Sequence, residues 1–213
     1  MPNQLFDNLT SIYDVAMLPL EAMVLQRLRR KLFHDLHGDV LEVGVGTGAN
    51  FGFYPPDTCL MGVDESLEML EVATQRTRPC FNLAQADVQR MPFARNSFDH
   101  IVATLVFCSV PDPLVGLREL HRILRPGGRL VLLEHVRGYT PLAAQITDLL
   151  NPFWNRFTRS CNLNRETART VAAAGFTITH SERHAFTVFQ IIEAVKESPL
   201  RIRPRSRMAL ALN

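Results

Sequence analysis

The chain has 213 residues, a length that favours one domain with added segments over two full domains. Hydrophobic residues make up 46% and charged residues 21%, which is typical of a soluble globular protein and excludes a disordered, collagen-like or coiled-coil chain. The net charge of +2 gives no indication of nucleic-acid binding, so we expect no nucleic-acid partner.

The cysteines and the apolar runs indicate the cellular setting. The four cysteines are Cys59, Cys80, Cys108 and Cys161, and no two of them form a CxxC pair. We therefore predict neither a metal site nor a disulfide framework, and we expect a cytoplasmic protein. No apolar run reaches 18 residues, and Asp7 and Asp14 interrupt the beginning of the chain. The sequence thus predicts neither a spanning helix nor a signal peptide.

The first predicted element is helical and falls within residues 1–38. Pro19 stands where a helix can begin, and helical spacing follows in Leu20, Met23, Val24, Leu28 and Leu32. Basic side chains end this stretch, namely Arg27, Arg29, Arg30 and Lys31. They fit a solvated face near a helix C-terminus, or a basic surface that contacts anionic lipid at the membrane periphery.

Short apolar runs then alternate with helical periodicity as far as Val136. We predict strands at 40–43, 59–63, 81–86, 98–107 and 129–136. Helices are predicted after Leu67 and over 114–124, the second ending at Pro126-Gly127-Gly128. This alternation predicts an α/β fold with a parallel sheet and helices on both of its faces.

The elements after Gly138 are less regular. The hydrophobic pattern predicts a helical insertion after strand five, over residues 141–158, and a helix over residues 165–174. It also predicts two final strands, over residues 176–185 and 186–195. Arginines at 201, 203, 205 and 207 mark a basic tail. We therefore divide the chain into an N-terminal helical cap (1–38), a core domain (39–198) and the tail (199–213).

A glycine-rich turn follows the first predicted strand of the core. Gly44, Gly46 and Ala49 satisfy the GxGxxG/A dinucleotide pattern, with Asp64 about twenty residues further on. Gly44, Gly46 and Gly48 give GxGxG instead, preceded by Glu42. A carboxylate there suits a ligand that carries a cationic amino acid, whereas a nucleoside without pyrophosphate needs no anion-binding turn. The turn by itself leaves both ligands open.

Five motifs, taken in chain order, decide between a dinucleotide and a ligand with a cationic amino acid. Glu42 to Gly48 resembles motif I of the class I S-adenosylmethionine-dependent methyltransferases. The segments that resemble the rest of that family's core are Gly62-Val63-Asp64-Glu65-Ser66 with Met69-Leu70, Ala86-Asp87-Val88-Gln89 with Met91-Pro92-Phe93, Phe98 to Val102, and Leu124 to Leu130. The resemblance implies a Rossmann-like, seven-stranded, mostly parallel sheet with a reversed last hairpin.

The resemblance also implies the cofactor, S-adenosyl-L-methionine, whose product is S-adenosyl-L-homocysteine. It assigns cofactor contacts to Glu42, Gly44, Gly46, Gly48, Asp64, Glu65, Met69, Asp87, Val88, Thr104 and Leu105. Asp64 corresponds to the acid that holds the ribose hydroxyls, and Asp87 to the acid that meets the adenine amino group. Tyr13, with Asp14, resembles a pair that closes over the cofactor in several relatives.

The segments outside the core indicate the methyl acceptor. Glu134-His135-Val136 and Cys161 to Glu166 look like the microsomal thiol methyltransferase-like proteins, which favours a small lipophilic thiol. The sequence of motif I and the Tyr13-Asp14 pair resemble the corresponding segments of bacterial phospholipid N-methyltransferases. A phospholipid amine is therefore the alternative acceptor. A quinone or natural-product acceptor is a further alternative. The sequence leaves the acceptor and the oligomeric state open.

Methyl transfer to a thiol needs a deprotonated sulfur, because the free thiol has a pKa of about 8.5. His135 is our candidate base, since it ends a central strand, where α/β sheets bind ligands; a structural histidine is the alternative. Glu134 is expected to orient His135 or to face the adjacent helix, and Cys108 to be a small buried hydrophobe.

Aromatic and histidine side chains outside the core give weaker indications. Phe153, Trp154 and Phe157 are expected to pack in the core or to line an apolar acceptor pocket or a lipid-facing lid. The pairs His34 with His37 and His180 with His184 have chelating spacings but lack a third ligand in register, so we assign no metal to them.

Overall fold

The computed structural model describes residues 26–158, 161–184 and 189–198. The strands are β1 (Asp39–Val43), β2 (Cys59–Asp64), β3 (Phe81–Gln85), β4 (Phe98–Thr104), β5 (Leu124–His135), β6 (Thr177–His184) and β7 (Phe189–Val195). The α-helices are α1 (Gln26–Phe33), α2 (Leu67–Thr74), α3 (Pro113–Ile123), α4 (Pro141–Thr158) and α5 (Thr167–Ala173), and a 3₁₀ turn covers Phe51–Phe53.

The seven strands found in the described residues form one sheet in the order β3-β2-β1-β4-β5-β7-β6. The first five pair in parallel, whereas β7 runs antiparallel to both β5 and β6. The Rossmann-like, mostly parallel sheet with a reversed last hairpin is therefore confirmed.

Two apolar clusters bury the central strands on both faces. One contains Leu41, Ile101 and Leu132 with the α3 side of the sheet, and the other contains Val40, Val102 and Leu133 with the α1 side. Alternate residues of a strand point to opposite faces, so adjacent positions such as Val40 and Leu41 enter different clusters. Continuous apolar runs are therefore the expected sequence of these strands.

The sheet topology positions the candidate site. The strand order reverses between β1 and β4, because the chain first moves outward through β2 and β3 and then returns to the other side of β1. In open α/β sheets, ligands bind beyond the carboxyl ends of the strands at such a switch point. The glycine turn after β1 and the residues after Thr104 lie at this edge.

Two strand boundaries differ from the prediction. β4 ends at Thr104 and not at residue 107, because Leu105 has a φ of 60°, in the left-handed region that interrupts a strand. β5 begins at Leu124 and includes the predicted turn at Pro126-Gly127-Gly128. Gly127 N donates to Lys196 O and Lys196 N donates to Gly128 O, so the end of the β7 segment pairs with this turn.

The absence of a disulfide was predicted wrongly, because Cys59 and Cys80 form one. Cys59 opens β2 and Cys80 immediately precedes β3, and Leu60 pairs with Phe81 in register. Parallel neighbouring strands begin at the same edge of the sheet, which brings the two Cα atoms to 4.9 Å. The separation of 21 residues reflects the α2 crossover, so short-range cysteine spacing does not reveal the pair.

The 141–158 segment is helical as predicted, but its aromatic residues differ from expectation. Phe153 and Phe157 of α4 are 73% and 81% exposed, so core packing was a wrong prediction for both. Leu142, Leu149 and Leu150 are exposed as well. Among the residues that the structure describes, no helix is long and apolar enough to cross a membrane.

Several predictions concern residues outside the described ranges. Tyr13 and Asp14, the helix start at Pro19 and the basic tail over 199–213 all lie there. The proposed cap (1–38) is described only from residue 26, where α1 packs Leu28, Leu32 and Phe33 into the core.

Substitution of Gly128 by Ala is expected to lower the free energy of unfolding by about 1–3 kcal/mol. An added Cβ would lie 2.8 Å from both Arg125 O and Asp99 O, and these backbone atoms cannot move aside easily. Gly52→Ala is the matched control, because its added Cβ would meet no atom of the described residues within 4 Å apart from those of its immediate chain neighbours. Urea denaturation measures the free energy of unfolding of the two variants. Equal stability of Gly128→Ala and Gly52→Ala would contradict the close packing of the turn at Gly128.

Candidate functional site

A cavity of about 620 Å³ opens at the carboxyl ends of β1, β2 and β4. Such a volume is in the ordinary range for small-molecule and cofactor sites. Nine of the residues assigned from the sequence line it, namely Gly44, Gly46, Asp64, Glu65, Met69, Asp87, Val88, Thr104 and Leu105. Glu42, Gly48 and His135 are not in its lining, and Tyr13 lies outside the described residues.

The glycine turn brings the backbone close to the cavity. Gly44 has a φ of 66°, and a Cβ there would collide with the side chain of Val106. Gly46 has a φ of 53°, and its backbone N donates a hydrogen bond of 2.8 Å to Asp64 Oδ2. Both positions require glycine because an L side chain rarely adopts this conformation. The turn therefore presents main chain, and not side chains, to a ligand.

Asp64 links the glycine turn after β1 to the loop that precedes α2. One carboxylate oxygen accepts from Gly46 N, and the other accepts from Ser66 N at 3.0 Å. Ser66 in turn caps α2, since its hydroxyl accepts from Met69 N at 3.2 Å. The position of Asp64 and the beginning of α2 are thus set together.

The end of β3 supplies a second carboxylate to the cavity. Asp87 is exposed, and its Oδ1 accepts from Gln89 N at 2.8 Å, which holds the loop in a tight turn. Val88 is buried beside it and forms an apolar part of the wall. The pair gives this end of the cavity one polar and one apolar contact surface.

The segment after β4 is held by one buried carboxylate. Glu134 is fully buried, and its carboxylate accepts from the backbone N of Val106, Phe107 and Cys108 at 3.0, 3.0 and 3.2 Å. Leu105 N donates to Leu133 O at 2.8 Å, which fixes the left-handed residue. These bonds shape the cavity wall at 104–106.

Glu42 lies behind the cavity and not on its surface. Its carboxylate is fully buried and accepts from Asn50 Nδ2 at 2.6 Å and from the Tyr54 hydroxyl at 2.9 Å. Asn50, which does line the cavity, also lies 3.3 Å from Thr104 Oγ1. Burial raises the pKa of Glu42 to about 7, and burial raises that of Glu134 to about 7 as well.

Two arginines in the cavity wall were missed by the sequence analysis. Arg29 of α1 is 6% exposed and lines the cavity, close enough to Glu42 to favour its charged form. A solvated or lipid-facing role was therefore a wrong expectation for this arginine. Arg76 also lines the cavity and donates to Thr47 Oγ1 at 3.3 Å. Arg29 lies one turn before Leu32 and Phe33, a spacing that indicates a core-facing position.

His135 lies beside two cysteines at the end of β5. Its Nδ1 is 3.8 Å from Cys161 Sγ, and its ring packs on Phe189 with 4.4 Å between centroids. Cys108 Sγ, Cys161 Sγ and a ring nitrogen of His135 all lie within 4.8 Å of one another. We name these three groups the thiol–imidazole cluster. No sequence spacing had indicated it, because its members are far apart in the chain.

The two cysteines shift each other's pKa in opposite directions. The Cys108 thiol, with the neighbouring His135, lowers the pKa of Cys161, whereas Cys161 and burial raise the pKa of Cys108. Cys108 is buried as expected, but its neighbours are a sulfur and an imidazole. Glu134 does not orient His135, because both of its oxygens bind the 106–108 backbone.

The histidine pairs noted in the sequence have separate partners. His34 Nδ1 lies 2.8 Å from Lys31 O, whereas His37 Nδ1 lies 2.9 Å from Asp57 Oδ2. His180 and His184 both approach Glu182, at 3.5 and 3.3 Å. In the described residues, three His, Cys, Asp or Glu side chains close enough to hold one metal ion occur at the thiol–imidazole cluster and not at these pairs.

Comparison with known proteins gives a matching domain family and similar enzymes. Residues 41–132 match the methyltransferase domain family. The human thiol S-methyltransferase TMT1B is 35% identical over 188 residues, which cover 80% of this chain and 77% of that protein. The phosphatidylethanolamine N-methyltransferase of Cereibacter sphaeroides is 37% identical over 113 residues, which cover 50% and 56%.

A solved structure confirms the fold. A SAM-dependent methyltransferase from Thermotoga maritima superposes with a TM-score of 0.69 at 21% identity, covering 91% of this chain and 99% of that one. At this identity the likeness concerns the arrangement of the elements.

The buried glutamates predict a pH dependence of stability. Both have a folded-state pKa of about 7 against 4.5 for the free side chain, so between these values the folded protein holds protons that the unfolded chain has released. The two glutamates therefore contribute a fall in the free energy of unfolding as the pH rises from about 4.5 to about 7. His100 and His121, whose pKa values burial lowers, contribute in the opposite direction. Glu42→Gln is expected to remove roughly half of that fall.

Urea denaturation at pH 5 and pH 8 measures this effect. Glu71→Gln, at an exposed position, is the control and should keep the wild-type fall. An unchanged difference between the two pH values in the Glu42→Gln protein would show that Glu42 does not carry a raised pKa.

Proposed function

This chain belongs to the S-adenosylmethionine-dependent methyltransferases, and we propose that it transfers the methyl group to a small lipophilic thiol. The observation that carries the proposal is the cavity at the β1/β4 switch point, next to a cluster of sulfur and imidazole groups. The human relative is a thiol S-methyltransferase, which supports the same acceptor.

The cavity fits S-adenosylmethionine in size and in the chemistry of its wall. Its carboxylates suit ribose hydroxyls and an adenine amino group, which are hydrogen-bond donors, and its glycine turn leaves open space beside Gly46. Arg29 adds a cation suited to the carboxylate of the cofactor's amino-acid end. When bound, the cofactor supplies a methyl group on a sulfonium, ready for in-line displacement.

The proposed contacts follow this division of the wall. We assign the ribose to Asp64 with Glu65 and Met69, and the adenine to Asp87 with Val88. Gly44, Gly46, Thr104 and Leu105 would contact the methionine part, where their backbones line the cavity. Glu42 and Gly48 act from behind the wall, Glu42 by orienting Asn50. Tyr13 keeps its assignment as a residue that closes over the cofactor.

The acceptor half of the site lies toward the end of β5. A thiol must lose its proton before it attacks the sulfonium carbon, and we propose that His135 promotes this loss. Its contacts with Cys161 and Phe189 hold the imidazole in one orientation, and Ser109, which follows Cys108, lines the cavity. Such a displacement requires above all that the acceptor sulfur, the methyl carbon and the sulfonium sulfur lie in one line.

A phospholipid amine is the second candidate acceptor, and one surface favours it. The exposed apolar face of α4, with Leu149 71%, Phe153 73% and Phe157 81% exposed, suits contact with a lipid surface. The bacterial phosphatidylethanolamine methyltransferase supports this alternative over a shorter match. We propose a cytoplasmic protein, with peripheral membrane contact through this face if the acceptor is lipid. The Cys59–Cys80 disulfide removes the cysteine-based reason for that location.

Loss of the Asp64 carboxylate is expected to weaken S-adenosylhomocysteine binding. Asp64→Ala should raise the Kd by about 10- to 100-fold, the equivalent of one or two hydrogen bonds to a charged group. Asp64→Asn keeps one acceptor for Gly46 N and should lose less affinity than Asp64→Ala. Isothermal titration calorimetry measures both variants.

Asp57→Ala is the control for this experiment. Asp57 is exposed, pairs with His37 and does not line the cavity, so its loss should leave the Kd unchanged. Wild-type affinity in a folded Asp64→Ala protein would refute the assignment of Asp64 to the ribose.

Methyl transfer from labelled S-adenosylmethionine tests the acceptor. We expect label on a small alkyl thiol and little on phosphatidylethanolamine vesicles offered at the same time. The variant Phe153→Ser/Phe157→Ser should leave thiol methylation unchanged, because both side chains are exposed and lie outside the cavity lining. Label on the lipid alone, abolished by this variant, would replace the thiol with a phospholipid.

A further inference from the structure

The thiol–imidazole cluster joins three distant parts of the chain. Cys108 follows β4, His135 ends β5 and Cys161 follows α4, yet their ligating atoms all lie within 4.8 Å of one another. Cys59 and Cys80 are joined to each other, so Cys108 and Cys161 are the two free thiols of the chain. Two thiols and an imidazole are the donor set that zinc and other soft divalent ions prefer.

The spacing of these atoms is close to that of a tetrahedral zinc site. With Zn–S of about 2.3 Å and Zn–N of about 2.0–2.1 Å, ligand atoms in a tetrahedron stand about 3.5–3.8 Å apart. The distance from Cys161 Sγ to His135 Nδ1 is 3.8 Å, and a movement of about an ångström is the most that the upper limit of 4.8 Å requires. Small side-chain rotations are enough for such a change.

The backbones that carry the cluster are fixed. Cys108 N donates to Glu134 Oε2 at 3.2 Å, and Cys108 O accepts from Asn162 N at 2.8 Å and from Asn162 Nδ2 at 3.1 Å. Cys161 N donates to Thr158 Oγ1 at 3.2 Å. The segments after β4 and after α4 are therefore tied together next to the cluster, as a prearranged ligand set requires.

A second feature next to the cluster is a buried donor without a partner. The indole Nε1 of Trp154 is buried and has no hydrogen-bond partner among the described residues. Trp154 lies close to Cys161 in the fold, because Thr158 Oγ1 donates to Trp154 O at 2.9 Å and accepts from Cys161 N at 3.2 Å. A buried N–H without an acceptor is costly, and N–H groups directed at metal-bound sulfur are a usual outer contact of thiolate sites. A metal-bound thiolate would give this N–H a strong acceptor.

We propose that Cys108, His135 and Cys161 bind a zinc ion and leave its fourth coordination position to a non-protein ligand. Three protein ligands with one open position are the arrangement of catalytic and not of structural zinc sites, and a Cys₂His set is one of the known combinations. The proposal concerns this chain's own donor atoms and applies whatever the methyl acceptor is.

A zinc ion held by the cluster would lie next to the methyl-transfer chemistry if the proposed thiol acceptor is right. Cys108 Sγ lies 3.7 Å from Ser109 Oγ, and Ser109 lines the cofactor cavity, so one side chain separates the cluster from the cavity. A zinc ion held there would bind the acceptor sulfur as a thiolate: the S–H bond would break, a metal–sulfur bond would form, and the proton would leave to solvent. His135 then promotes deprotonation as a ligand and not as a free base.

Cobalt binding tests the metal site without reference to activity. The protein is first freed of metal with a chelator, in a Cys59→Ser/Cys80→Ser background that leaves Cys108 and Cys161 as the only thiols, and is then titrated with Co²⁺ under reductant. We expect one equivalent to bind, with sulfur-to-cobalt charge-transfer absorption and the d–d bands of a tetrahedral ion. Zn²⁺ should displace the cobalt and remove both the charge-transfer absorption and the d–d bands.

Variants of each ligand make the assignment specific. Cys108→Ala, His135→Ala and Cys161→Ser should each weaken cobalt binding at least tenfold, whereas His34→Gln, at an exposed position, should not change it. S-adenosylhomocysteine affinity reports whether each variant is folded. Absence of the charge-transfer band in the folded parent, or its persistence in two ligand variants, would overturn the site.

Two further results separate this inference from the proposed function. A Cys108–Cys161 disulfide that forms despite reductant, found by mass spectrometry, would overturn the metal site and leave the thiol proposal intact. Thiol methylation at an equal rate in zinc-free and zinc-loaded protein would overturn the role of the open position. Cobalt binding in a protein that methylates only lipid would support the site and refute the thiol acceptor.

Discussion

The carboxylate of Glu134 is the interaction on which the shape of the site depends. It ends a buried strand and accepts three consecutive backbone N–H groups from Val106, Phe107 and Cys108, which no neighbouring strand satisfies. Burial of this charge is unfavourable, and the three N–H groups are what offsets it. The loop after β4 therefore has one conformation, and that loop separates the cofactor cavity from the thiol–imidazole cluster.

Glu42 fixes the other side of the switch point, as Glu134 fixes the loop after β4. It is buried behind the glycine turn, orients Asn50 and Tyr54, and leaves contact with a ligand to the residues in front of it. Two buried acids near the ends of β1 and β5, the strands on either side of β4, thus organise the two proposed halves of the site, one for the methyl donor and one for the acceptor. Both have a pKa raised to about 7 because burial disfavours their charged forms.

Local signals in the sequence were sufficient for the core and for most of the cavity wall. Strand-length apolar runs, the glycine turn and the acids at 64 and 87 act through residues near in sequence, so their spacing indicates their role. Arg29 was misjudged because its basic neighbours suggest a solvated face, whereas its position one turn before Leu32 and Phe33 turns it into the cavity. Phe153 and Phe157 were misjudged because aromatic residues in a helix usually pack inward.

The sequence by itself determined the fold, the family and the cofactor, since each follows from motifs whose residues act within one strand, turn or helix start. Only the tertiary structure decided which distant groups meet. The parallel register of β2 and β3 joins Cys59 to Cys80, and the packing of the segment after α4 against the end of β5 brings Cys161 to His135. Contacts of this kind depend on the order of strands in the sheet, which no local spacing encodes.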